Sequence, residues 1–113
     1  MKQRNIIVHL SSSHMNFRIR EFCEDNRLTL KKADRVAICS FTGDVYRFVD
    51  LCDYRGLDRI RGMYIDQLIR LDRLYDPRDE ILSYIHYNIN RTRQMRKIDV
   101  NTRIPTHRNS KVL

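Results

Sequence analysis

Twelve of the arginines and lysines between positions 55 and 111 are the residues whose type and spacing suggest a binding chemistry. Arginine binds phosphate through paired N–H···O hydrogen bonds, and lysine binds it as a point charge. Many such contacts give nucleic-acid binding that depends steeply on salt and carries little sequence preference. The sequence therefore predicts a surface for DNA or RNA made by Arg55, Arg59, Arg61, Arg70, Arg73, Arg91, Arg93, Arg96, Lys97, Arg103, Arg108 and Lys111.

Tyrosines and aspartates interleave with these basic residues and leave two interpretations open. Exposed tyrosines would stack on unpaired bases, although Tyr64 and Tyr84 are as readily explained as core or rim residues. Asp58, Asp66 and Asp72 could pair with the arginines across helical turns. Such pairing would make a solvated ion-pair face instead of a binding surface.

Length and charge indicate one small, basic domain. The chain has 113 residues, enough for a single modest core. Lys and Arg number 22 against 14 Asp and Glu, so the net charge is +8 and an anionic partner is favoured. Seven basic residues and one acid, Asp99, follow Asn90, so the last 23 residues carry +6 of that charge. We predict one domain over 1–90 and a basic, flexible tail over 91–113.

The three cysteines, Cys23, Cys39 and Cys52, lack CxxC spacing and stand among apolar neighbours. They are predicted to be small buried residues, not disulfides or zinc ligands, which favours a reducing, cytoplasmic location. The apolar run near the N-terminus is too short for a signal peptide, and no run reaches the ~18 residues of a membrane span. No membrane partner is predicted.

The histidines and serines do not form a catalytic pattern. His9, His14, His86 and His107 lack His-x-x-x-His spacing and are predicted to lie at the surface. Ser11–Ser13 are predicted to make a turn and a cap, because adjacent residues seldom face one another as a catalytic triad requires. The chain is therefore predicted not to be an enzyme and to hold no metal or cofactor.

The first half of the chain predicts a strand, a helix and a hairpin. The apolar run Asn5–Leu10 predicts a strand buried on both faces, and Ser13 is a cap candidate for the helix that follows. This order places the serine loop at the carboxyl edge of the strand, where open α/β sheets bind ligands. Residues 35–51 predict a β-hairpin that turns at Gly43, whereas Leu28–Lys32 is ambiguous.

The second half admits two folds. Apolar residues over 56–75 recur at helical spacing, but a break at Gly62 would make Tyr64–Leu71 a strand instead. Residues Asp76–Asn90 predict a helix capped by Asp76, with a proline at its first position. We predict an α/β fold with a small sheet of about four strands, two main helices and a basic C-terminal tail. The alternative is mainly α, with a helical hairpin over 56–90.

The middle of the chain resembles part of the ATPase core of P-loop phage terminases and helicases. Those cores often carry a hairpin with a glycine turn, an aspartate-rich loop, an Arg-Gly pair and an apolar strand ending in acid. The resemblance covers residues 5–75. The counterparts here are NIIVHLSSS, Thr42-Gly43-Asp44, Val45–Phe48, Asp50–Asp53, Arg61-Gly62, Asp66 and Leu68–Asp72.

Departures from that pattern concern the catalytic parts. A P-loop requires G-x-x-x-x-G-K-[ST], and neither Gly43, Gly56 nor Gly62 precedes Lys-Ser or Lys-Thr. Arg73 stands where an ATPase places its water-orienting glutamate, and Arg70 interrupts the apolar strand. The resemblance implies a catalytically silent remnant that contacts nucleic acid or a partner ATPase. The alternative function is a small viral or phage-type regulator that binds and modulates an acidic protein partner.

Overall fold

The computed structural model describes residues 3–11, 13–31 and 35–112, and side-chain surroundings as far as Arg96. These residues form a five-stranded mixed sheet and three helices. In chain order the elements are β1 (Asn5–His9), α1 (Met15–Asn26), β2 (Leu28–Lys31), β3 (Val36–Cys39), β4 (Val45–Val49), α2 (Tyr54–Ile60), β5 (Gln67–Arg70) and α3 (Asp79–Val112).

The sheet has the strand order β2-β3-β4-β1-β5. β1 runs parallel to both β4 and β5, so three strands end at one side of the sheet, which we call the carboxyl edge; the opposite side is the amino edge. β2 and β3 are antiparallel to their neighbours. The predicted α/β class is confirmed, with one strand more than expected because the ambiguous segment pairs with β3. The predicted hairpin is β3–β4, and Gly43 turns it with a φ of 78°.

Alternating side chains of β1 fill a core on each face of the sheet. Ile6 and Val8 pack with α1, whereas Ile7 packs with Ile60 of α2 and Ile85 of α3. A strand that is buried on both faces has a nearly continuous run of apolar residues, and the sequence NIIVHL contains such a run. The prediction for this strand is confirmed.

The helical-hairpin alternative over 56–90 is wrong. α2 ends at Ile60, and Gly62 then takes a φ of 77°, which is incompatible with a continuing helix. Beyond it Leu68 packs on one core and Ile69 on the other, the two-residue alternation of a strand. The apolar residues across 56–75 that follow helical spacing therefore belong to two elements in different layers, the helix α2 and the strand β5.

Two predicted helix caps are also wrong. His14, not Ser13, precedes α1; its φ is 54° and its side chain makes no capping hydrogen bond. α3 begins at Asp79, so Asp76 is not its cap and instead pairs with Arg70 at 3.3 Å. Pro77 is buried ahead of the helix. Residues 73–78 are drawn across the carboxyl edge by hydrogen bonds described below, which delays the start of the helix.

α3 continues past Asn90 to Val112 and would measure about 50 Å at 1.5 Å per residue. Its middle belongs to the core, because Thr92 is fully buried and its hydroxyl accepts the Ile65 N–H at 2.9 Å. A flexible tail over 91–113 stays a prediction, since the side chains beyond Arg96 lie outside the described residues. Among the helices described, none combines the length and the apolar character needed to cross a bilayer.

The cysteines differ in burial. Cys23 is buried, as predicted, and its burial raises the pKa of the thiol. Cys39 is half-buried, but Cys52 is exposed, so the prediction of three buried cysteines is wrong for Cys52. Its exposure follows from its position in the loop after β4 at the carboxyl edge. All three are free thiols.

Candidate nucleic-acid interface

Four of the predicted arginines lie at or near the carboxyl edge. Arg55 and Arg59 project from α2 and line a cleft beside the end of β4. Arg70 is the last residue of β5, and its guanidinium pairs with Asp76 at 3.3 Å. Arg73 follows it and is exposed. These four do not form one continuous row, because Arg70 is engaged by a carboxylate.

The other predicted arginines with described side chains lie toward the amino edge. Arg61 follows α2 and pairs with Asp58 at 3.3 Å. Arg96 pairs with Asp66 at 2.9 Å, and that carboxylate also accepts a backbone N–H from β1 at 2.7 Å. Ion pairing therefore accounts for part of the predicted set. Arg93 is exposed on α3. Four of the predicted residues lie outside the described side chains: Lys97, Arg103, Arg108 and Lys111.

One outward face of α3 combines aromatic and basic side chains. Tyr84, Tyr87 and Arg91 are separated by three and four residues, which places them on one side of the helix, while Ile85 packs into the core. The guanidinium of Arg91 lies 5.8 Å from the ring centre of Tyr64, which precedes β5. We call Tyr64, Tyr84, Tyr87 and Arg91 the tyrosine stripe. Its three rings are 52%, 38% and 66% exposed in that order.

His9 is not the surface residue that the sequence predicts; it is 0% exposed at the end of β1. Its Nδ1 accepts the Leu51 N–H at 3.0 Å, so the ring proton must be on Nε2. Nε2 then donates to the carbonyl oxygen of Tyr75 at 2.8 Å. The Cys52 thiol donates to the same carbonyl at 3.1 Å. These bonds hold the residue 73–78 segment against the carboxyl edge.

The atoms of His9, Asp50 and Cys52 that could ligate a metal lie within 4.8 Å of one another. Ligation by Nε2 would require the ring proton to move to Nδ1, where it would face the Leu51 N–H. Two donors would then oppose each other in the protein interior. The arrangement is better suited to bracing the loop than to holding a metal ion.

Asp72 follows β5 at the same edge and faces α1. Its carboxylate accepts a hydrogen bond from Arg18 at 2.9 Å and another from the Ser11 hydroxyl. Burial alone would raise the pKa of Asp72, but the Ser11 and Arg18 hydrogen bonds and the Arg18 charge outweigh it and lower the pKa. Ser11 thus lies at the carboxyl edge, as the sequence predicts for the serine loop; Ser12 lies outside the described residues. Asp72 pairs with Arg18, however, and with none of the predicted arginines up to Arg96, the last side chain described.

Sequence reasoning missed Arg35, which lines the same cleft as Arg55 and Arg59. The signal was present in the predicted hairpin. Antiparallel pairing puts the residue before β3 opposite the end of β4, and the Phe48 N–H does bond to the Arg35 carbonyl at 3.0 Å. Linear spacing alone could not reveal this, because the arginines lie on separate elements.

Comparison with protein-family models, with curated proteins and with solved structures gives no match to this chain. The resemblance to the P-loop ATPase core stays a prediction.

Proposed function

We propose that this protein binds single-stranded nucleic acid along the tyrosine stripe, without catalysing a reaction. Bases would stack on Tyr84 and Tyr87, and Arg91 would contact the phosphate backbone. The observation that carries this proposal is the Arg91 guanidinium lying over the exposed Tyr64 ring, on the side of α3 that also carries the exposed Tyr84 and Tyr87. Exposed rings next to a guanidinium suit a flexible, unpaired strand, because every base has a face to stack and every nucleotide a phosphate.

The surrounding charge supports an anionic partner. Arg93 is exposed on another face of α3, and further basic residues follow it in the sequence. The net charge of the whole chain is +8. A cytoplasmic, reducing location fits the free thiols, of which Cys52 is exposed. We assign no catalytic role to His9, because backbone groups engage both of its ring nitrogens.

The test is fluorescence anisotropy with a labelled single-stranded oligonucleotide and its duplex, across a salt series. Replacing both Tyr84 and Tyr87 by alanine should weaken single-strand binding by at least tenfold, since each stacked base contributes about 1–3 kcal/mol. Arg91→Gln should reduce the slope of log K against log salt by about 0.7, the value for one phosphate contact on a single strand. Tyr54→Ala is the matched control, because Tyr54 is 72% exposed but lies on α2 away from the stripe.

Equal losses in the stripe and control variants would refute the stripe as the binding surface. Duplex binding as tight as single-strand binding would refute stacking as its basis. If no nucleic acid binds at low salt, the alternative function becomes the stronger one. The stripe would then be tested against acidic protein partners, whose complexes survive nuclease treatment.

A further inference from the structure

A cleft of about 320 Å³ opens at the carboxyl end of β4, away from the tyrosine stripe. Three arginines line it: Arg35 ahead of β3, and Arg55 and Arg59 on α2. Its volume is at the lower end of the range of about 300–1,000 Å³ for small-molecule sites. The size fits one small ligand and the lining favours an anionic one.

The three arginines of this cleft form no ion pair with a described carboxylate. Within the described part of the chain, the paired arginines are Arg4, Arg18, Arg61, Arg70 and Arg96. Arg55 and Arg59 are instead four residues apart on one face of a short helix, where like charges repel by a few tenths of a kcal/mol. Arg35 donates to the sulfur of Met15, which is a weak acceptor. A bound anion would relieve this repulsion and satisfy the guanidinium donors.

Gly56 of α2 also lines the cleft. Gly56 brings α2 so close to the end of β4 that a Cβ at this position would lie 2.0 Å from the Asp50 carbonyl oxygen. The contact fixes α2, and with it Arg55 and Arg59, against the strand end. Arg55 and Arg59 thus project from a helix that packs closely on the end of β4.

Two carboxylates narrow the choice of ligand. Asp50 and Asp53 also line the cleft. Asp50 accepts the Cys52 N–H at 2.9 Å, and one oxygen of Asp53 accepts the Arg55 N–H at 3.1 Å. Carboxylates repel a bare anion but accept hydrogen bonds from hydroxyls. A ligand carrying both a phosphate and hydroxyl groups therefore matches the lining better than inorganic phosphate does.

We propose that this cleft binds a ribonucleotide 5′-phosphate, with Arg35, Arg55 and Arg59 holding the phosphate and Asp53 accepting from a ribose hydroxyl. The ligand is either a free nucleotide or the 5′ end of an RNA strand, which share this chemistry. The inference goes beyond the proposed function and does not depend on it. The cleft belongs to the carboxyl edge, whereas Tyr64 and Arg91 lie toward the amino edge.

The test is isothermal titration of the full chain with AMP, dAMP, adenosine and inorganic phosphate. AMP should bind at least about tenfold more tightly than each of the others, because each lacks the phosphate, a ribose hydroxyl or the nucleoside. Arg59→Gln should weaken AMP binding by about tenfold or more, and Arg59→Lys by less. Arg61→Gln is the matched control: Arg61 lies two residues away and pairs with Asp58 outside the cleft.

Equal effects of Arg59→Gln and Arg61→Gln would overturn the proposal, as would equal binding of AMP and adenosine or no binding of AMP. A second titration compares RNA oligonucleotides with a 5′-phosphate and a 5′-hydroxyl. An advantage for the phosphorylated strand that disappears in Arg59→Gln identifies the strand end as the ligand. AMP binding without such an advantage identifies the free nucleotide. Loss of strand binding in the Tyr84 and Tyr87 variants with AMP binding retained would separate the cleft from the tyrosine stripe.

Discussion

Replacing His9 by leucine removes two hydrogen bonds from the protein interior. The Leu51 N–H donates to Nδ1 at 3.0 Å, and Nε2–H donates to the Tyr75 carbonyl at 2.8 Å. His9 and Leu51 are both 0% exposed, so solvent does not reach the first bond. Leucine has nearly the same reach but can neither accept nor donate. The substitution therefore tests whether this histidine braces the carboxyl edge.

The two lost bonds differ in cost. The Tyr75 carbonyl keeps a partner, because the Cys52 thiol donates to it at 3.1 Å. The Leu51 N–H would remain buried without its acceptor. An unsatisfied buried donor costs about 1–3 kcal/mol and an ordinary hydrogen bond contributes about 1 kcal/mol. Leucine's greater apolar burial offsets roughly 1 kcal/mol, which leaves a net loss of about 2 kcal/mol in the free energy of unfolding.

Urea unfolding measures this loss as a lower midpoint with an unchanged slope. The melting temperature should fall by about 8 °C for a chain of this size. His9→Gln should recover part of the loss, since its amide can accept from Leu51 and donate to Tyr75. His86→Leu is the matched control, because His86 is exposed on α3, and its effect should stay within about 0.5 kcal/mol.

A His9→Leu variant as stable as the wild type would refute this reasoning, as would a glutamine variant no better than leucine. Zinc provides a second check. The wild-type melting temperature should not change with added Zn²⁺. A zinc-dependent rise that is lost in His9→Leu would mean that the imidazole ligates metal, and the tautomer argument would fail.

Two further predictions concern Gly56 and the acid limb of stability. Gly56→Ala should lower the free energy of unfolding by about 3 kcal/mol, the upper end for overpacking, because the new Cβ would lie 2.0 Å from the Asp50 carbonyl oxygen. Gly62→Ala should lower it by only about 1–2 kcal/mol in the same urea titration, because a Cβ there has no neighbour within 4 Å and only the φ of 77° is unfavourable. Asp44 and Asp72 have a pKa below the ordinary 3.8. The folded state therefore binds fewer protons than the unfolded state, and the urea midpoint should hold down to about pH 5 and fall below about pH 4. Asp72→Asn should make the urea midpoint fall less steeply below about pH 4. An unchanged fall would contradict the lowered pKa of Asp72.

Local patterns were enough to predict the strands at the centre of the fold. The run at Asn5–His9 is apolar at every position except its ends, which only a strand buried on both faces requires. Gly43 marks a turn because its φ of 78° is available to glycine without strain. Both signals act over a few residues, and tertiary contacts reinforce them.

Long-range hydrogen bonds explain what the sequence could not predict. Asp76-Pro77 has the pattern of a helix start, but the Tyr75 carbonyl just before it is bound by His9 and Cys52. These bonds fix the segment across the carboxyl edge, so α3 begins only at Asp79. His9 itself resembles a surface histidine until the loop that buries it is in place. Capping preferences contribute about 1 kcal/mol, less than the combined tertiary bonds here.

Formal charge overstates the number of arginines that can meet a phosphate. Arg61, Arg70 and Arg96 lie in ion pairs, and Arg96 also ties α3 to the amino edge through Asp66. An arginine in such a pair must leave its aspartate before it can contact a phosphate. Its binding therefore releases few counterions from the nucleic acid in total. Arg91 has no such constraint, because its neighbour is the face of a tyrosine ring. The salt dependence of binding should therefore be shallower than the charge of +8 suggests, and removing Arg91 should affect it more than removing Arg61.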